Sequence, residues 1–341
     1  MPQDDHGPGA SADQVAAILR EAVVCDTTLP WFEPYMIDQD VTLPKFHKAG
    51  FDFVSLTVSV PKNALAGTMR HIAVVKAHIR SRPGLVFAAS VDEIVAAKRQ
   101  GKLALGFHFQ GTEPFEGDIE LVQSYYDLGV RHALLAYNLK NAVGDGCVER
   151  TDAGLSKYGI RLIQEMNRVG MLVDGSHTGH RTTMEAMEVC EGPFIFSHSN
   201  CDAVVPHYRN IKDDQIKACA RSGGFVGING VNEFLGDLKA ASETMFRHLE
   251  HIVNLVGIDH TGIGLDYVRD VQAIWDWIQR DRDLWPQAGD EEQPYPAHAQ
   301  PEQVAELVGL MLGHGYTKDE VAKVLGGNFL RVMRAAEPHR N

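Results

Sequence analysis

The chain has 341 residues, 44% of them hydrophobic and 23% charged, with a formal net charge of −13. That length supports a large buried core, and for α/β chains one large domain is a better expectation than two. The acidic balance argues against nucleic acid as a partner, because neutralising phosphates requires a basic face.

Short apolar runs rich in Val, Ile, Leu and Phe alternate with longer amphipathic stretches, the pattern of parallel strands buried on both faces and crossed over by helices. In chain order, strands are expected at Ala22–Asp26, Phe51–Val60, Leu103–Phe109, His132–Ala136, Met171–Asp174, Phe194–Phe196, Phe225–Ile228 and Thr261–Leu265. Helices are expected at Met69–Ser81, Ile119–Leu128, Leu155–Val169, Arg181–Val189, Asp213–Arg221 and Ser242–Val256. Eight β-then-α units with no break in composition predict a single α/β domain over 1–341, a closed (β/α)8 TIM barrel rather than an open sheet. Residues 269–300, which carry Trp275, Trp277 and Trp285, differ in composition and follow the last strand. They are expected as a loop excursion over the barrel mouth, where loops decide the substrate; a surface excursion packed by its own aromatics is the alternative. Helices at Pro301–Leu312 and Thr317–Leu325 follow, then the run GGNFLRVMR.

The first twenty residues lack the basic start and apolar centre of a secretory signal, and no run of about 18 apolar residues spans a bilayer. The cytoplasm is therefore the expected compartment, with no membrane partner. Cys25, Cys147, Cys190, Cys201 and Cys219 are odd in number and lack CxxC spacing. They read as reduced, mostly buried thiols.

In such a barrel the active site lies at the C-terminal ends of the strands, so polar residues just after apolar runs are the first candidates. These are Asp26, the pair His108 and Gln110, Tyr137, His177, His198 and Asp266. His177 and His198 follow consecutive strands, each in a Ser-His context, and can converge on one ion from two directions. His180 is as readily solvated as functional. His108 and Gln110, two apart, face the same way on a strand, either as a polar barrel layer or as binding groups. Arg209, at loop distance beyond the sixth strand, can clamp a carboxylate through paired hydrogen bonds. Asp266 can accept a proton or hold an ammonium, or can cap a helix.

The runs YDLGVRHALLAYNLKNAVGD, GLSKYGIRLIQEMNRVGMLVDGSH, FIFSHSN, HYRN, GIDHTGIGLD and GYTKDEVAKVLGGNFLRV resemble, in order, the motifs of the renal (membrane) dipeptidase family, peptidase family M19. The resemblance implies a homodimeric, amidohydrolase-like barrel with two zinc ions bridged by a carboxylate, acting on dipeptides. On it, His177 and His198 match the histidines of one zinc, Arg209 the grip on the substrate carboxylate, and Asp266 the group that receives the amino end and moves a proton.

The other half of the site departs from the family. Where the family reads Asp-Gly-His-x-Asp, this chain reads VVCDTTLPW. With LPW as anchor, Asp26 replaces the His and Thr28 the Asp; if Asp26 is the opening Asp, Thr28 replaces the His. The bridging glutamate corresponds to Gln110, and the histidine after the fourth strand to Tyr137. A neutral hydroxyl or amide is a poor ligand. The expectation is zinc, one ion per chain or none, on His177 and His198 with Asp26 a candidate third ligand. Gln110 and Arg209 are then assigned to substrate, and Asp266 and Tyr137 to catalysis, Tyr137 as a donor to a developing oxyanion. The leading expectation is a hydrolase of a dipeptide or small amide. Its rival is a degenerate, non-hydrolytic homologue that binds a related small ligand.

Overall fold

Apolar runs buried on both faces assemble, in a computed structural model that describes residues 11–32, 39–285 and 296–338, into nine parallel strands. They are β1 (Cys25–Pro30), β2 (Phe53–Ser59), β3 (Leu85–Phe87), β4 (Leu103–Phe109), β5 (Val130–Leu134), β6 (Leu172–Asp174), β7 (Phe194–Phe196), β8 (Phe225–Ile228) and β9 (Thr261–Ile263). Eight of them run in the order β1-β2-β4-β5-β6-β7-β8-β9, and β3 pairs with β4 beside that path. This is the (β/α)8 barrel the alternation predicts, nearly closed, with helices between the strands.

The expected helices are present, among them Leu65–Arg80, Lys157–Val169 and Ser242–Val256, and further helices include Ala12–Glu21, Gln39–Lys48 and Val91–Arg99. Helix Lys157–Val169 shows why such segments start and stop where they do. The Ser156 hydroxyl accepts from the Gly159 amide at its start, and Gly170 ends it at φ +85°, a left-handed conformation suited to glycine. Its inward residues Leu162, Ile163, Met166 and Val169 are buried in the main apolar core. Among the described residues, no helix is long and apolar enough to cross a membrane.

Two expectations are corrected. The first strand lies at Cys25–Pro30 rather than Ala22–Asp26, although CDTTLP is half polar. All six residues are buried because the polar ones bond across the barrel: the Thr27 hydroxyl donates to the carbonyls of Ser197 (2.5 Å) and Ile263 (3.0 Å). Residues 269–300 are not loop throughout. They include the helix Val271–Arg280, capped by the Asp270 side chain, and a buried return at His298 and Ala299; 286–295 lie outside the described residues.

Between β1 and β9 no strand pairing occurs among the described residues, and the barrel is joined there by individual bonds. The Asp266 amide donates to the Thr28 carbonyl (3.1 Å), and the Leu265 amide to the Asp26 carboxylate (3.1 Å). Close approach also needs small residues. A Cβ on Gly264 would lie 1.9 Å from the Ser197 carbonyl oxygen, and one on Gly227 2.2 Å from it. Glycine at both positions lets β8 and the end of β9 approach the Ser197 carbonyl, just beyond β7 and next to His198.

Candidate active site

His177 and His198 leave the ends of β6 and β7 and meet at the mouth, with their Nε2 atoms 3.0 Å apart. Each ring is fixed from behind. The Asn138 amide nitrogen donates to the Leu284 carbonyl (2.8 Å), which turns its oxygen to His177 Nδ1 at 2.7 Å. His177 therefore donates through Nδ1–H and presents a bare Nε2. His198 Nδ1 lies 2.7 Å from the Ser197 hydroxyl and 3.0 Å from that of Thr28. Burial, followed by the nearby Arg209 charge, pushes His177 well below the ordinary histidine range and His198 down to about 3. Both rings are thus neutral and able to coordinate. His177 also sits at φ +63°, Asn138 at +57° and Asp266 at +54°, left-handed conformations that are strained for residues other than glycine and cluster here at the mouth.

Arg209 is 2% exposed. Its Nη2 donates to the His198 carbonyl (3.3 Å), while its buried Nε lacks a hydrogen-bond partner among the described residues. Donors of this cation therefore remain for an anion. Asp266, half-buried, accepts from the Asn229 amide (3.2 Å). Burial pushes its carboxyl up to about 6, against the pull of Arg209 and Asn229. It does not cap the following helix, a role taken by Asp270.

The remaining candidates have other partners or lie at the edge of the site. Asp26 Oδ1 is taken by the amides of Thr28 (3.0 Å) and Leu265 (3.1 Å), and Oδ2 is buried without a partner among the described residues. Burial raises its pKa well above the usual carboxylate range. Gln110 Nε2 donates down the barrel to Thr57 Oγ1 (3.2 Å), the top of a polar chain through the core. That chain continues from Thr57 to His108 Nε2 (2.9 Å), from His108 Nδ1 to Ser55 (2.9 Å), and from Ser55 to His132 Nε2 (3.0 Å). It ends at Asp174, 3.0 Å from His132 Nδ1. His108 is thus part of a buried polar layer, stacked on His132 at 4.5 Å. His180 opens the helix His180–Val189 and pairs with Asp214 (2.8 Å). Tyr137 lies on the His177 ring, centroids 4.0 Å apart at 20°.

Reasoning from the sequence overlooked Asn138 and Ser197, although each adjoins a residue it singled out. The part of Trp277 and Trp285 at the mouth was signalled only by composition. These rings and Tyr137 stand 6.0–6.3 Å apart, and Trp285 is 6.1 Å from His177. Two cavities flank this wall. One, of about 480 Å³, is polar and bordered by His177, Arg209, His180 and Lys212. The other, of about 60 Å³, is mostly apolar and bordered by Tyr137, Trp277, Trp285, Gln110 and Asp266.

The two ring nitrogens are spaced as donors to a common metal ion would be. Two nitrogens on a tetrahedral zinc, each at about 2.0–2.1 Å, stand roughly 3.3 Å apart, close to the separation of the two Nε2 atoms. Among the described residues, no group of three or more His, Cys, Asp or Glu side chains is arranged to hold a metal. Asp26 does not join the histidines in such a set.

A parallel α/β barrel with paired histidines, an arginine and a carboxylate at its strand ends has the frame of a barrel hydrolase. The sequence matches the family model described as membrane dipeptidase (peptidase family M19) over residues 19–279, and the chain belongs to that family. It is 34% identical over 216 residues to an uncharacterised dipeptidase of Schizosaccharomyces pombe, covering 61% of this chain and 52% of that protein. It is 29% identical over 254 residues to a dipeptidase of Claviceps purpurea, covering 73% and 55%. The chain thus spans about half the length of the curated relatives it matches. Among solved structures, an amidohydrolase from Pseudomonas aeruginosa superposes with a TM-score of 0.85 at 28% identity, over 94% of this chain and 98% of that one.

Proposed function

We propose that this protein hydrolyses the amide bond of a small dipeptide-like compound, with at most one metal ion held by His177 and His198. The observation that carries the reading is the 3.0 Å meeting of the two Nε2 atoms, in a chain of the dipeptidase family. His177 and His198 would hold a zinc ion, which would lower the pKa of water and polarise a carbonyl.

The protein's own groups carry the remaining work. Arg209 grips the substrate carboxylate with the donors left free of His198, and Gln110 offers its amide oxygen while its nitrogen is held by Thr57. Asp266 pairs with the amino end, takes a proton from the attacking water and returns it to the leaving nitrogen. Tyr137, laid on His177, donates to the developing oxyanion. Trp285 and Tyr137 limit the access of bulk water to this chemistry. A homodimer belongs to this reading on family grounds, and a cytoplasmic location on the expectation drawn from the sequence.

Incubation with a panel of L-Xaa-L-Xaa and L-Xaa-D-Xaa dipeptides, with release of free amino acids as readout and zinc measured per chain, tests it. Turnover that disappears with the metal supports it. Failure on every compound with zinc supplied favours the rival, a ligand-binding homologue without hydrolysis. One observation favours that rival: Gln110, at the bridging position, spends its nitrogen on the polar chain of the core.

A further inference from the structure

The apolar cavity beside the histidines has a composition that a peptide side-chain pocket does not require. Three of its walls are the rings of Tyr137, Trp277 and Trp285, with centroids 6.0–6.3 Å apart and interplanar angles of 60–79°. At such angles no ring covers another's face in parallel. One face of Tyr137 is covered by His177, and the residue also borders the cavity. Phe32 adds an edge, 6.5 Å from Trp277. A centre seated over the corner of three such rings lies roughly 4–5 Å from each centroid, inside the ~6 Å range over which a ring face attracts a cation.

The charges around the cavity agree with a cationic occupant. Asp266 and Glu233 border it, and no Lys or Arg does so among the described residues. Glu233 is paired with His207 at 3.1 Å, whereas Asp266 accepts from the neutral amide of Asn229 at 3.2 Å. Arg209 stands 5.0 Å from the Phe234 ring but borders the polar cavity instead. The size is restrictive as well. About 60 Å³ holds roughly four to six water-sized spheres, the bulk of a methylated ammonium head and not of a long side chain.

We propose that this cavity is an aromatic cage for an N-alkylated ammonium group, tertiary or quaternary, formed by Tyr137, Trp277 and Trp285 and closed by the Asp266 carboxylate. A bare ammonium would lose more hydration than the rings return, whereas methyl groups spread the charge and bury apolar surface. The inference rests on the reading of the site above, in which Asp266 receives the amino end of the ligand. It narrows the substrate class to small amides or dipeptide-like compounds whose nitrogen terminus is alkylated.

The test uses the whole protein and two probes of equal heavy-atom count, tetramethylammonium chloride and neutral tert-butanol, titrated by calorimetry and by quenching of tryptophan fluorescence at constant ionic strength. We expect tetramethylammonium to bind at least tenfold more tightly than tert-butanol. Trp277→Leu should abolish that preference and Trp277→Phe should retain part of it, with both variants first matched to the parent in melting temperature; if either melts early, the parent's preference alone decides. Equal affinity for the two probes, or binding of neither, overturns the cage. Hydrolysis of unmodified dipeptides by a protein that ignores tetramethylammonium would leave the hydrolase reading standing and remove only the cage. Binding of tetramethylammonium without turnover of any dipeptide would do the reverse.

Discussion

The hydroxyl of Thr28 lies 3.0 Å from Nδ1 of His198. The resemblance places a metal-binding acid or imidazole at this position; here a neutral hydroxyl meets the His198 ring. The Thr28 hydroxyl thus helps to fix the direction of the His198 ring without adding charge.

The metal content should follow. Protein prepared without chelator is expected to carry at most one zinc per chain, held loosely because two protein donors are one fewer than catalytic zinc sites usually have. The double variant Thr28→Asp with Gln110→Glu should gain affinity for a second ion. Elemental analysis with titration against a chromophoric chelator measures both, and two tightly held equivalents in the unaltered protein would refute the one-ion site.

Arg209→Ala should raise KM for carboxylated substrates roughly 10- to 150-fold, the equivalent of losing a charged hydrogen bond of about 1.5–3 kcal/mol, with kcat changed much less. Substrate amides lacking the carboxylate should barely notice the change. Steady-state kinetics on matched acid and amide pairs decides it; equal losses for both would remove the clamp.

Asp266 must be ionised to accept a proton, and its carboxyl is pushed up to about 6 by burial. The acid limb of kcat/KM should therefore fall near pH 6, and Asp266→Asn should lower the rate and flatten that limb. The sign for stability is opposite. A raised native pKa means the group's contribution is complete below the ordinary carboxylate value and is lost as pH climbs through about 6. Melting scans at pH 5 and 7 should show Asp266→Asn gaining relative to the parent at the higher pH.

Deep in the barrel, Asp174 accepts from His132 (3.0 Å) and from the amides of Ser176 (3.0 Å) and Ser197 (3.1 Å). Burial alone would raise its pKa, but the hydrogen bond and charge of His132 hold the carboxyl below its usual value. Asp174→Ala should cost about 3–5 kcal/mol, because it strands a buried imidazole and two amides. Asp174→Asn should cost less. Because the native pKa is depressed, the stabilisation is present above the ordinary carboxylate range and is lost on acidification through the lowered value. Urea denaturation midpoints across pH 3–7 provide the check.

The barrel itself was legible because parallel strands buried on both faces read as apolar runs. β3 escaped notice since Leu85–Phe87 is three residues long and only partly buried. The shift of β1 had another cause. Its Asp26, Thr27 and Thr28 look like loop residues until the carbonyls and amides they meet, 170 and more positions away, are known. His177 and His198 could be paired by eye because each follows its strand directly. Their support by Asn138, and the wall built by Trp277 and Trp285, depend on how separate loops fold back over the mouth, a long-range matter on which local pattern is silent.

The join between β1 and β9 has a mechanical consequence. A ring of strands laced all round by main-chain ladders resists opening evenly, but this one has a clasp made of a carboxylate, a hydroxyl and one amide. Breathing of the barrel should concentrate at that clasp, so the amides of Leu265 and Asp266 should exchange with deuterated solvent sooner than those of the β2–β4 ladder. Thr27→Val would loosen the hoop at the point where Asp266 is aimed.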